Sequence, residues 1–111
     1  MATENDFRRI ALALPDTTHA PHFERTAFKR RITFATLAPD GLSANLKFTL
    51  DEQELKCLTA PDAFAPVPGG WGRMGFTTVR LVAVTADELA TALRLAWAHA
   101  GPRAKTRAKR P

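Results

Sequence analysis

The chain has 111 residues and one cysteine, enough length for a single domain with its own core and too little cysteine for a disulfide scaffold. No apolar run approaches the roughly 20 residues that cross a bilayer, and the opening Met-Ala-Thr-Glu-Asn-Asp lacks the basic and apolar regions of a secretion signal, so a cytoplasmic protein is expected. A net charge of +5 is of the kind nucleic-acid binders carry, but five cations lie within the last nine residues, and the remaining eleven balance eleven acids over residues 1–102.

In chain order, Thr3 and Asp6 form a capping-box pattern, and Phe7, Ile10, Ala11 and Leu14 make one apolar stripe, so a helix ending at Pro15-Asp16 is predicted. Thr17 to His22, containing Pro21, reads as a connection. Phe23 to Arg31 reads as an exposed strand carrying the basic triplet Lys29-Arg30-Arg31. Arg31 to Leu37 alternates with Ile32 and Phe34 on one face, and Pro39-Asp40-Gly41 is a turn. Leu42 to Leu50 alternates cleanly: Leu42, Ala44, Leu46, Phe48 and Leu50 face one way, and Ser43, Asn45, Lys47 and Thr49 face the other. These runs predict an antiparallel hairpin with one wet face.

Asp51 opens a short second helix with Leu50 and Leu55 as a hydrophobic staple, closed by Pro61. Phe64 to Leu81 follows, with four of the six glycines. Pro61 to Gly75 is predicted as a glycine-proline loop and Phe76 to Val84 as a strand. Trp71 lies among the glycines and reads as a plug in the core, because a large ring contributes so much when buried. Thr85 with Glu88 caps the last helix, whose stripe is Leu89, Leu93, Ala96, Trp97 and Ala100 and which Gly101-Pro102 stops. The order implies α+β: an antiparallel sheet with hairpin wings and three helices mainly on one face. Residues 1–102 make one domain and 103–111 a basic tail read as disordered.

Phe7…Ile10-Ala-Leu-Ala-Leu-Pro15, Ala20-Pro-His-Phe23, Phe28…Phe34-Ala-Thr-Leu37 and Trp71-Gly-Arg-Met-Gly-Phe76-Thr…Leu81 resemble the MmcQ/YjbR-like family of small bacterial proteins. Ala96-Trp97…Gly101-Pro102-Arg103 fits its ending, so the resemblance covers residues 7 to about 103. It implies a double-wing fold whose β-hairpins serve as wings, and a DNA-binding role inferred from that shape. Members commonly carry Trp where this chain has Phe76. The family supplies no agreed catalytic residues.

Signals for catalysis are weak, and no enzyme activity and no cofactor are expected. His19 and His22 have a His-x-x-His spacing but lie off any helix and lack a third ligand, so no metal site is expected and two surface histidines is the blander reading. Cys57 has no local base to activate it, and His99 suits the C-terminal end of a helix dipole. For nucleic acid, Lys47 projects from the wet face and Arg80 does the same if Val79 and Leu81 point inward. Lys29, Arg30 and Arg31 lead into the hairpin, with Arg25 and Arg73 at the border. Arg103, Lys105 and Arg107 extend the basic set into the tail. Such a set suits phosphates, although cations on a wet sheet also merely keep it soluble.

The expected partner is therefore DNA, bound largely without sequence preference, with no membrane association and a monomer favoured. The alternative is a small-anion or protein-interaction module with a pocket of His19, His22, Trp71 and Arg73. In it the glycine N–H groups form an anion nest, though the loop precedes a strand rather than a helix.

Overall fold

The structure, a computed structural model, describes residues 1–101. Thr3 caps helix α1 (Glu4–Ala13), its hydroxyl accepting from the Asp6 N–H at 3.1 Å while the Asp6 carboxylate accepts from the Thr3 N–H at 3.0 Å. This reciprocal pair satisfies two N–H groups that a helix start leaves open. The chain then runs through strands β1 (Thr18–His22), β2 (Arg25–Lys29), β3 (Thr33–Leu37) and β4 (Ser43–Lys47) and helix α2 (Leu50–Thr59). Strand β5 (Phe64–Pro66), the one-turn helix α3 (Gly70–Arg73), strand β6 (Phe76–Arg80), a 3₁₀ turn at Leu81–Ala83 and helix α4 (Ala86–His99) complete it.

The six strands form one antiparallel sheet in the order β1-β2-β3-β4-β6-β5. The hairpins β1–β2 and β3–β4 lie side by side within this single sheet. Phe28, Ala35, Leu37, Ala44, Leu46 and Val79 point to one face, where Phe7 and Ala11 of α1 and Leu89, Leu93 and Ala96 of α4 cover them. Phe7 meets Phe28 edge to face at 5.3 Å. Each fully buried Phe, Leu or Val among them contributes about 1.5–3 kcal/mol by leaving water. The α+β architecture with helices on one side of an antiparallel sheet is as the patterning predicts. The stripes of α1 and α4 are also as read.

Several local expectations give way. Thr17–His22 is not a connection: Thr18 to His22 pair with Lys29 to Arg25 as β1, a Pro-bearing edge strand. Helix α2 is capped by Thr49 with Glu52, not by an Asp51 start. Leu50 and Leu55 are exposed, so they form no staple, and α2 packs at the β5 edge rather than on the sheet's main face. The predicted glycine-proline loop contains β5 and α3. Strand β6 ends at Arg80 because the 3₁₀ turn takes over. Ile32, Leu42 and Leu50 lie beyond the strand ends and are exposed.

Candidate functional site

Two features share the sheet face turned away from α1 and α4. The first is charge. Ser43, Asn45 and Lys47 stand on this side because Ala44 and Leu46 between them are buried. Register carries the assignment across the sheet: Arg80 pairs with Ser43 and Phe76 with Lys47. On β2, Arg25 and Lys29 lie opposite in facing to buried Phe28. Four cations thus occupy this side, and none of the six strands contains Asp or Glu among the described residues. Helices α1, α2 and α4 hold Glu4, Asp6, Asp51, Glu52, Glu54, Asp87 and Glu88 against Arg8, Arg9, Lys56 and Arg94, seven acids to four cations. The signs are thus sorted by element, cations on the strands and an excess of acids on the helices, while the loop acids Glu24 and Asp40 stand at the Arg25 end of the open face.

The cations differ in how they are held. Arg25 donates from Nε to the Thr36 hydroxyl at 2.8 Å and from Nη2 to the Thr36 carbonyl at 3.1 Å. Burial lowers its pKa from the usual arginine value while the Asp40 carboxylate opposes the shift, and a guanidinium stays charged regardless. Arg80 donates to the Asp62 carbonyl at 2.8 Å. The Lys47 ammonium lies 5.8 Å from the Phe76 ring centroid, and Lys29 is exposed.

The second feature is a trough of about 600 Å³ on the same face. Thr36 and Asn45 floor it, His22, Phe23 and Arg25 of the β1–β2 tip border one end, and Val67, Trp71 and Phe76 border the other. Phe23 is 92% exposed and holds φ at +58°, in the left-handed region where hairpin turns favour glycine. Trp71 is 61% exposed and meets Phe76 edge to face at 5.4 Å and 81°. The core-plug expectation for Trp71 is therefore corrected. Its glycine neighbours offer no side chains to wall the indole in, and the loop instead lifts it to the trough.

Gly72 keeps that loop close: a Cβ there would run into the Val67 carbonyl. Gln53 of α2 then pins the loop by donating to the Gly72 and Phe76 carbonyls, both at 3.0 Å. Gln53 is a positioning residue that no motif marks, since its two acceptors are 19 and 23 residues away. Phe23, expected at the start of an exposed strand, stands instead in the turn before β2, because its left-handed conformation leaves no trace in apolar periodicity.

The predicted site residues separate into groups. Lys29, Lys47 and Arg80 share the open face, with Arg25. Arg30 and Arg31 do not join them: the Arg30 guanidinium stacks 3.8 Å from the Trp97 ring centroid, and Arg31 donates from Nε to the Gly101 carbonyl at 2.8 Å. Both hold the end of α4 against the sheet. His22 and Trp71 line the trough, but His19 turns to the opposite face and stacks on Phe28 at 5.8 Å, because residues three apart on a strand point oppositely. The His-x-x-His pair is thereby split, and no metal-holding group of His, Cys, Asp and Glu forms among the described residues. Arg73 lies in a neighbouring shallow depression with Gln53 and Gly69.

The N–H groups of Arg73, Met74 and Gly75 bond back to Gly69, Gly70, Trp71 and Gly72 carbonyls, so those three donors do not form an anion nest. Cys57 is half-buried, and burial raises its pKa toward the inert thiol. The Glu52 carboxylate accepts from His99 Nε2 at 2.8 Å, joining α4 to α2 as well as ending a helix. Arg103, Lys105 and Arg107 lie outside the described residues. No helix among the described residues is long and apolar enough to cross a membrane.

Comparison with known proteins agrees with the fold. The crystal structure of Deinococcus radiodurans protein DR2400, a DUF419 domain, superposes with a TM-score of 0.73 at 25% identity, covering 86% of this chain and 76% of that one. No curated protein matches. The YjbR family model matches residues 12–99, a span from the end of α1 to the end of α4 that includes every strand and the trough. The chain belongs to the YjbR family.

Proposed function

We propose that this chain is a non-enzymatic DNA-binding protein that contacts phosphates through the open sheet face. The observation that carries the reading is the cation set Arg25, Lys29, Lys47 and Arg80, held on one face by strands without a single acid. Four cations on one face, with the acids Glu24 and Asp40 confined to its Arg25 end, attract a polyanion. Among the described residues the one-turn α3 at the trough is too short to lie along a major groove, so the contacts are to backbone phosphate rather than to base edges. The basic tail adds to the same attraction.

Salt titration of DNA binding by the full chain tests this. Each phosphate contact contributes about 0.9 to the slope of log affinity against log salt. Lys47→Glu and Arg80→Glu are each expected to reduce that slope by roughly one contact. The tail is common to wild type and variants, so the difference reports the face alone. Slopes unchanged in both variants would remove the sheet face from the binding surface. A second reading, a small aromatic anion held in the trough, is favoured by the exposed Trp71. Quenching of tryptophan fluorescence by such an anion, without competition against DNA, would support it.

A further inference from the structure

We propose that the trough receives an unpaired nucleobase, so that the chain prefers single-stranded DNA to duplex. The inference rests on the reading of this face as a phosphate-binding surface and specifies which form of the polymer it takes. A base needs a flat apolar platform, polar groups at its edges, and cations within reach of the adjoining phosphates. All three converge here. Trp71 supplies the platform: it is 61% exposed, and its 81° edge arrangement with Phe76 is not a stacked one. Phe23, 92% exposed, stands across the trough.

The edges are supplied by Arg25 and Asn45, with the Glu24 carboxylate lining the trough beside Arg25 as an acceptor for base N–H groups. Thr36 takes two N–H groups of Arg25 and thereby fixes its plane, leaving the rest of its five donors for a ligand. The Asn45 carbonyl oxygen accepts from the Thr78 hydroxyl at 2.8 Å, which turns the Asn45 amide N–H₂ away from that contact. Lys47, 5.8 Å from the Phe76 centroid, places a cation beside the same ring for the flanking phosphate. The cavity of about 600 Å³ falls within the roughly 300–1,000 Å³ of small-molecule sites.

Duplex DNA cannot use this arrangement. Its bases are stacked and paired, and they show only their edges in the grooves. A base must leave the stack before an indole can cover its face. The phosphates of a duplex still reach the four cations, so duplex binds by charge alone.

The test compares a short fluorescent deoxythymidine oligonucleotide with a duplex of equal length, using the full chain, Trp71→Ala, Trp71→Phe and Lys47→Glu. The basic tail contributes to both ligands, so the ratio of affinities isolates the trough. Single strand is expected to bind about tenfold tighter than duplex, which corresponds to one stacked base. Trp71→Ala is expected to abolish that ratio while leaving duplex affinity unchanged, and Trp71→Phe to retain most of it. Equal affinities in wild type, or a ratio unmoved by Trp71→Ala, overturn the inference. If Lys47→Glu still weakens both ligands in that event, the phosphate-face reading stands without it. If Lys47→Glu moves neither ligand, that reading fails and the inference fails with it.

Discussion

The tip of the β1–β2 hairpin allows display to be separated from stability. Phe23 is 92% exposed with φ at +58°, a conformation that costs a residue with a Cβ roughly 1–2 kcal/mol. Its ring touches His22 edge to face at 4.8 Å, a contact worth about 0.5 kcal/mol at an exposed site. Phe23→Ala removes the contact and keeps the strain, so a loss of about 0.5 kcal/mol is expected. Phe23→Gly removes both, and the freer unfolded chain takes back roughly 0.4–1 kcal/mol, so near-neutral stability is expected. Phe23→Gly should therefore exceed Phe23→Ala by roughly 0.5–1 kcal/mol, or about 2–4 °C in Tm for a domain of this size. Urea and thermal unfolding read that difference. Single-strand affinity is expected to fall alike in both, because both lose the ring. If Phe23→Ala matches or exceeds Phe23→Gly, the strain argument is wrong. If both lose more than about 2 kcal/mol, the ring is packed rather than presented.

Three further outcomes follow from other contacts. Arg30→Ala should cost about 1–2 kcal/mol in urea unfolding by removing the guanidinium from Trp97, with an unchanged salt slope for DNA. Gly75 sits at φ +106°, and a Cβ there meets the Phe48 carbonyl, whereas Gly69 at φ +79° has nothing within 4 Å. Gly75→Ala is therefore expected to cost more than about 2 kcal/mol and Gly69→Ala about 1, compared by thermal unfolding. Glu52 lies below the ordinary carboxylate pKa: burial opposes its charge, but the Thr49 N–H and His99 outweigh burial. A lowered acid pKa stabilises the fold fully above the unfolded value, roughly pH 4.3, and that contribution is lost as pH falls through the folded one. His99→Ala should flatten this acid limb in unfolding measured across pH, and an unchanged limb would deny His99 a part in it.

What the sequence discloses here depends on how far a residue's partners lie along the chain. Thr3–Asp6 and Thr85–Glu88 are legible because each box closes within one turn, and the α4 stripe is legible because burial imposes helical spacing. Trp71 is not legible. An indole among glycines reads as a core plug because a buried ring contributes so much, and the contacts that hold the loop at the trough, Gln53 reaching from α2 to the Gly72 and Phe76 carbonyls, lie far along the chain. Arg30 and Arg31 mislead for the same reason. Adjacent to Lys29, they read as one basic triplet, yet the strand ends at Lys29, and the two arginines turn to the end of α4. His19 and His22 fail as a pair once β1 is a strand, since a helix-like spacing separates residues on a pleated one.

Net charge misleads in a different way. Summing residues 1–102 gives eleven cations and eleven acids, which says nothing about whether a folded face is basic. Capping and pleating then sort the signs. Acids collect at helix starts, where open N–H groups favour them: Glu4 and Asp6, Asp51 and Glu52, and Asp87 and Glu88 all lie in first turns. The strands contain no acids, and alternation sends each strand cation away from the apolar core. Helix starts therefore take six of the eleven acids and the strands keep four cations and no acid, without any excess in the total. The trough opens on the side of those cations, so the aromatic platform and the strand cations face the same incoming ligand.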